Sequence, residues 1–318
     1  MASNSGSADL LRLPRVFDIV ISDFGRETAI KLVQNVAVLE HRIIRSKLKD
    51  PTFKFFDEYR RIMFALIGDI AYIKQPQIDE YRGRGILDSG ILLGMSGESI
   101  PASVKERLTQ CIKEQAMYAL SRGYRWIRVV IPCNTLSPIS RGLEVDLRAT
   151  IGSAKLIAGG LNTGARTSDD GVHKVDDIRF HAWTVPQTVL HAIQRKEALP
   201  TDLLVLGTST AVSTYREELA QMEPRPAIKI LELTAEEQEV VNEAIIAAID
   251  GDRGEIDRSR MDILNKIIEP RRASGQAFTI IEACTDFELS VGINSLDFFT
   301  KELVNDVYDV IDKGDEHK

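Results

Sequence analysis

Cysteine is scarce in this chain, with three among 318 residues. An odd and small number does not make a disulfide framework, so reduced thiols are expected. Long apolar runs are also missing. No window approaches the roughly 18 residues of a membrane-spanning helix, and the opening MASNSGSADL has neither the basic start nor the apolar stretch of a secretion signal. A cytoplasmic protein with no membrane contact is the expectation. Positive charge is not in excess: 40 Lys and Arg against 47 Asp and Glu leave a formal net charge of −7, which argues against nucleic acid as a partner. Ligand patterns are lacking too. His41, His173, His181 and His191 form no metal-ligand spacing with the cysteines. The acidic IDGDRGEID (249–257) fails the EF-hand spacing, and the turn at Gly207 lacks a Walker or dinucleotide pattern. No metal and no cofactor are expected.

What is present is an ordinary globular composition, 44% hydrophobic and 27% charged, in a chain long enough for two domains. The β-branched run VFDIVIS (16–22) leads through DFGRET into Ile30, Val33, Val36, Leu39 and Ile43 at helical spacing. Residues 53–72 read as a second helix, 85–95 as a buried strand, 102–121 as a helix and WIRVVIP (126–132) as a strand. The stretch 137–178 reads as loop-like. Alternation resumes with IRFHAWTV as a strand, VPQTVLHAIQRKEA as a helix, TDLLVLG (201–207) as a strand, STAVSTYREELAQ as a helix and AIKILEL as a strand. Helical stretches at 235–250 and 256–273, the strand AFTIIEA (277–283) and the helix SLDFFTKELVNDVYDVIDK complete the chain. Strands alternating with helices predict an α/β protein of doubly wound domains with parallel sheets, binding ligands beyond the carboxyl ends of the strands. The expected division is 1–150 and 151–291, with a C-terminal helix (292–318) packing back on the first domain.

Cysteine is among the most buried residue types, and Cys111, on the apolar side of its helix with Val104, Leu108 and Ile112, fits a structural role. Cys133 and Cys284 differ. Each ends a buried strand and precedes residues that cap helices and donate hydrogen bonds, Asn134 and Thr135 in one case, Thr285 and Asp286 in the other. Backbone N–H groups at such a turn favour thiolate over thiol, which is what a base or nucleophile requires.

VIPCNT (130–135) and IEACTDFE (281–288) resemble the two cysteine signatures of the aspartate/glutamate racemase superfamily. LLVLGTSTAVSTYREEL (203–219) resembles the segment that opens the family's second domain, GMSGES (94–99) is similar to a Gly-Met-Ser-Pro-Glu turn, and SDFGRE (22–27) is loosely similar to an Asp-Ser-Gly turn. The resemblance covers roughly residues 85–135 and 200–310. Ala283 stands where the family usually has Gly, Phe287 also departs, and the cysteines are further apart than usual, an excess that falls in 137–178. Two runs, 16–22 and 91–95, compete for the first family strand. The former is preferred because GMSGES lies too close to Cys133 to leave room for a βα unit.

The resemblance implies two pseudo-symmetric domains with the active site in the cleft between them, and Cys133 and Cys284 as the two bases of a cofactor-independent racemase or epimerase. The implied substrate is a small molecule, an acidic amino acid such as aspartate or glutamate, and the implied assembly is a homodimer. Asn134, Thr135, Thr285, Thr208, Ser209 and Thr210 are the candidate donors to the substrate carboxylate. Asp23, Glu98 and Asp286 are candidates for holding the ammonium or poising a thiol, with helix capping as the alternative for each. Arg26 is a candidate for a distal carboxylate. Two other readings of the same fold remain: a decarboxylase or cis/trans isomerase of a small dicarboxylic acid, and a non-catalytic protein that binds a carboxylate.

Overall fold

The computed structural model describes residues 16–21, 27–47, 63–67, 102–122, 124, 126–143, 145–150, 178–195, 202–223, 228–250, 253–284 and 289–315. Its first half contains β1 (Val16–Ile21), α1 (Glu27–Lys47), β2 (Met63–Ile67), α2 (Ala102–Ser121), β3 (Trp126–Ile131), a short 3-10 turn (Ser137–Ser140), β4 (Arg179–Thr184) and α3 (Val185–Arg195). The second half contains β5 (Asp202–Leu206), α4 (Ser209–Gln221), β6 (Lys229–Ile230), α5 (Ala235–Asp250) and α6 (Arg253–Ile263). A π turn (Leu264–Ile268), α7 (Glu269–Ala273), β7 (Phe278–Glu282), β8 (Ile293–Asn294) and α8 (Ser295–Asp315) follow. Among the described residues no helix is long and apolar enough to cross a membrane.

The strands form two four-stranded sheets, ordered β2-β1-β3-β4 and β6-β5-β7-β8, and every pairing is parallel. In each sheet the order is second, first, third, fourth, so the halves repeat one topology. The α/β class with parallel sheets is thus the one expected from the alternating pattern.

Three local readings change. Residues 53–72 are not one helix, because Met63–Ile67 is a strand paired with β1. MFALI is a short apolar run, and periodicity cannot separate a buried strand from a buried helix in so few residues. AIKILEL contributes only Lys229 and Ile230 to the sheet. The 256–273 helix begins earlier, at Arg253, and widens into a π turn where Glu269 N–H reaches back to the Leu264 carbonyl, just before Pro270, which has no N–H to donate. The division at 150 also needs correction. β4 is hydrogen-bonded along β3 in the first sheet, so the chain passes to the second sheet between Arg195 and Asp202. The loop-like composition of 137–178 imitates a domain boundary without being one. The expected strand 85–95, which contains the run 91–95 that competes with 16–22 for the place of first strand, lies outside the described residues.

Strand alternation distributes the side chains among three cores. Phe17, Ile19, Ile21, Ile127, Val129 and Ile131 face α2 and form the outer core of the first half. Leu204, Leu206 and Ile280 face α5 and the helix after it, forming the outer core of the second. The opposite faces, with Val16, Val20, Val130, Leu203, Val205 and Ile281, meet α1, α3, α4 and α8 in a single core common to both halves. The helices there pair reciprocally. α1, which follows β1, packs on α8, which follows β8; α4, which follows β5, packs on α3, which follows β4; and α3 packs on α8. Exchanging the two halves leaves this set of contacts unchanged, as a two-fold axis between α3 and α8 would require.

One polar feature crosses the common core. Asp18 and Arg128 are opposite one another in the β1–β3 register and both are fully buried. Arg128 Nε and Nη2 each donate to an Asp18 oxygen at 2.7 Å, while Nη1 donates to the Leu303 carbonyl at 2.8 Å and to Asp306 Oδ2 at 3.2 Å. Burial alone would lower the Arg128 pKa, but Asp18 and Asp306 outweigh it and raise it. The guanidinium therefore ties the first sheet to the C-terminal helix.

Candidate active site

Cys133 and Cys284 occupy equivalent places, two residues beyond the ends of β3 and β7, the third strand of each sheet order. Alternation puts Cys133 on the face of Ile131 and Val129, and it packs, half-buried, against the first outer core. Cys284 packs in the same way against the second outer core and is 9% exposed. None of the three cysteines is in a disulfide. Cys111, half-buried, packs beside Leu108 and Ile112 as a structural residue.

The residues adjacent to the two thiols are in contact. Asn134 Nδ2 donates to the Ala283 carbonyl at 2.6 Å, joining the end of β3 to the end of β7. Both residues lie on the inward side of their strand ends, the side of the common core, and Ala283 belongs to that core. Asn134 is 4% exposed and its Oδ1 is buried with no hydrogen-bond partner. Turn geometry fixes its backbone: Ser137 N–H donates to the Asn134 carbonyl at 3.3 Å, and the Ser137 hydroxyl donates to the Cys133 carbonyl at 3.1 Å.

Ala283 is held from its own half as well. Its N–H donates to the Leu206 carbonyl at 2.7 Å, which extends the β5–β7 ladder by one step. Gly207 lies so close that a Cβ on it would stand 3.0 Å from the Ala283 Cβ and 3.3 Å from the Ala211 Cβ. The Gly207 carbonyl accepts from Gln238 Nε2 at 3.0 Å, and the same nitrogen donates to Asn242 Oδ1. A line of contacts thus runs from α5 through Gly207 and Ala283 to Asn134.

The segment after Cys284 is organised by a buried acid. Glu282, 1% exposed, accepts from Leu289 N–H at 3.2 Å, Val291 N–H at 2.7 Å and Gly292 N–H at 2.9 Å. Three backbone donors satisfy this carboxyl group in the interior. Ser290 within this turn has φ 56°, and at Gly292 a Cβ would fall 2.6 Å from the Ile280 carbonyl oxygen.

Of the other residues singled out in the sequence, Thr208 is buried and caps α4, its hydroxyl oxygen accepting from Ala211 N–H at 3.3 Å. Continuing the β5–β7 register by two residues places Thr208 beside Cys284. Ser209 and Thr210 are half-buried in the first turn of α4, and Thr135 is 6% exposed beside Asn134. Asp23, Arg26, Glu98, Thr285 and Asp286 lie outside the described residues. Gln238 and Glu282 were not singled out. Gln238 sits in a helix 31 residues from its partner and carries no local signal, whereas an acid inside an otherwise apolar strand, as in IIEA, is a cue that Glu282 has a specific buried partner.

No family model matches the chain, and no curated protein matches it in sequence. Solved structures resemble it, two of which are as follows. An aspartate racemase homologue from Pyrococcus horikoshii OT3 is 13% identical, with 92% of this chain and 99% of that one covered at a TM-score of 0.49. A candidate Asp/Glu racemase from Yersinia pestis is 12% identical, with 92% and 99% covered at a TM-score of 0.48.

Proposed function

We propose that this chain is a cofactor-independent amino-acid racemase or epimerase in which Cys133 and Cys284 act as paired acid and base on an acidic amino acid such as aspartate or glutamate. The observation that carries the reading is the contact between Asn134 and Ala283, which brings two cysteine-bearing strand ends of a repeated topology to one place.

Inverting an α-carbon needs removal of its proton from one face and delivery of another to the opposite face. One thiolate takes the α-proton while the other thiol donates, and the roles exchange for the reverse direction. Because the cysteines follow the outward side of each strand end and Asn134 and Ala283 the inward side, the α-carbon sits beyond the strand ends, above the Asn134–Ala283 bond, with a thiol to either side. Negative charge developing toward the α-carboxylate is met by donors at the strand ends. Thr208 is suited to this, since its oxygen caps α4 while its O–H proton remains to be donated. The first turn of α4, with Ser209 and Thr210, adds backbone N–H groups and the positive end of a helix. Thr135 and Thr285 complete the donor set in this reading, and Asp23, Glu98 or Asp286 takes the substrate ammonium. A homodimer in the cytoplasm is part of the same proposal.

Replacing Cys133 or Cys284 with Ser is expected to lower racemisation by on the order of 10²–10⁴-fold. Each variant should retain exchange of the α-proton with deuterated solvent for one enantiomer at most, and for opposite enantiomers. Normal racemisation by both variants would end the two-base reading. A covalent adduct on one cysteine, with no exchange at all, would favour a one-cysteine reaction on a dicarboxylic acid.

A further inference from the structure

We propose that Asn134 is a positioning residue that fixes the spacing of the two thiols by latching one strand end to the other. The consequence for catalysis rests on the two-base reading; the latch itself does not.

Three observations converge on it. First, the Asn134 amide is committed to the protein. Nδ2 donates to the Ala283 carbonyl at 2.6 Å, and this assigns the amide orientation, since the reverse would set two acceptor oxygens against each other. Second, Ala283 is a fixed anchor. It is held through its N–H by Leu206 and through its carbonyl by Asn134, and a Cβ on Gly207 would stand only 3.0 Å from its own Cβ. Third, Asn134 itself is braced by Ser137, which also holds the carbonyl of Cys133. Each thiol is therefore one peptide unit from a residue restrained on several sides, and the single bond between Asn134 and Ala283 closes the link. Two-base proton transfer is sensitive to such spacing, because misplacing a reacting group by about 1 Å costs on the order of 10²-fold in rate.

The test uses Asn134→Asp, which keeps the side-chain shape but replaces the amide donor with a carboxylate oxygen facing the Ala283 carbonyl. In a Cys111→Ser background, the full-length chain is treated with a graded series of bis-methanethiosulfonate reagents of increasing span, and the Cys133–Cys284 cross-link is quantified at each span by peptide mapping. The parent is expected to cross-link. Asn134→Asp is expected to do so at least about five-fold less, with single modification of each thiol and thermal unfolding close to the parent's. If Asn134→Asp does not fold, Asn134→Ala carries the same measurement. Equal cross-linking with and without the amide donor, or no cross-link in the parent, overturns the latch. Kinetics supply a second readout. With aspartate or glutamate, kcat should fall by on the order of 10²-fold with KM nearly unchanged, whereas loss of a substrate contact alone would raise KM. Cross-linking needs no turnover, so the absence of racemisation by the parent would count against the two-base reading and leave the latch to be decided by the cross-link.

Discussion

At the scale of single residues, the sharpest constraints lie at buried polar groups and at two close backbone approaches. Arg128 and Asp18 are both withdrawn from water, so removing Arg128 leaves the Asp18 charge without its ion-pair partner, and removing Asp18 leaves Arg128 only the longer contact with Asp306. Arg128→Ala is expected to destabilise the protein by about 3–5 kcal/mol in a denaturant titration. Asp306→Asn should cost less than Asp18→Asn, because Asp306 makes one longer contact and burial raises its pKa more than Arg128 lowers it. Gly292→Ala places a methyl carbon 2.6 Å from a backbone oxygen of β7, and the turn around Glu282 must move to admit it. Its unfolding midpoint should fall, while Gly275→Ala, strained in φ but facing open space, reports the cost of backbone strain alone. Tyr215 is fully buried, and burial pushes its pKa upward against the opposing effect of the neighbouring Ser295 hydroxyl.

The same scale shows how far sequence reading reaches. Cys133, Asn134 and Cys284 stand out in the sequence because small polar or nucleophilic residues there follow apolar strands. Asn134 was read as a donor to the substrate, yet its amide faces a carbonyl 149 positions away. No local pattern encodes a contact of that separation. Ala283 likewise carries no local signal, while in the fold its carbonyl accepts from Asn134 and its N–H donates to the Leu206 carbonyl.

Among the elements, α5 offers the clearest test of local design. Thr234 caps its first turn, the hydroxyl oxygen accepting from Glu237 N–H at 3.2 Å, while a Glu237 carboxylate oxygen accepts from Thr234 N–H at 2.8 Å. This reciprocal capping box is extended by Arg271, which pairs with the Glu237 carboxylate and donates to the Glu232 carbonyl at 3.0 Å. Thr234→Ala should lose about 1 kcal/mol in thermal or chemical unfolding. The hydrogen bonds from Arg271 hold the Glu237 pKa below the ordinary carboxylate range. A depressed carboxylate stabilises the fold above its unfolded pKa, and that contribution disappears as pH falls through the folded value. Stability of the Glu237→Gln variant should therefore differ from the parent's near neutral pH and converge with it in acid. Helices such as α3, α4 and α8 were readable from periodicity because their apolar faces are long. Met63–Ile67 was not, because five apolar residues satisfy helix and strand equally and only pairing with β1 decides between them.

For the whole molecule, the common core settles how the halves behave under stress. α1, α3, α4 and α8 bury their apolar faces in it together with both sheets, so neither half has a complete core of its own. Calorimetry is expected to show one cooperative transition, with calorimetric and van't Hoff enthalpies in agreement; two resolved transitions would contradict the single core. Relative rotation of the halves is opposed by the same packing, since large apolar interfaces do not slide as small polar ones do.

The reciprocal pairing of α1 with α8 and α4 with α3 also has a historical reading. Surfaces that complement themselves about a two-fold axis are those of a symmetric dimer. Duplication and fusion of one half-length ancestor accounts for the arrangement without inventing a new junction. On that account a single ancestral cysteine just beyond the third strand, copied once, accounts for the equivalent places of Cys133 and Cys284.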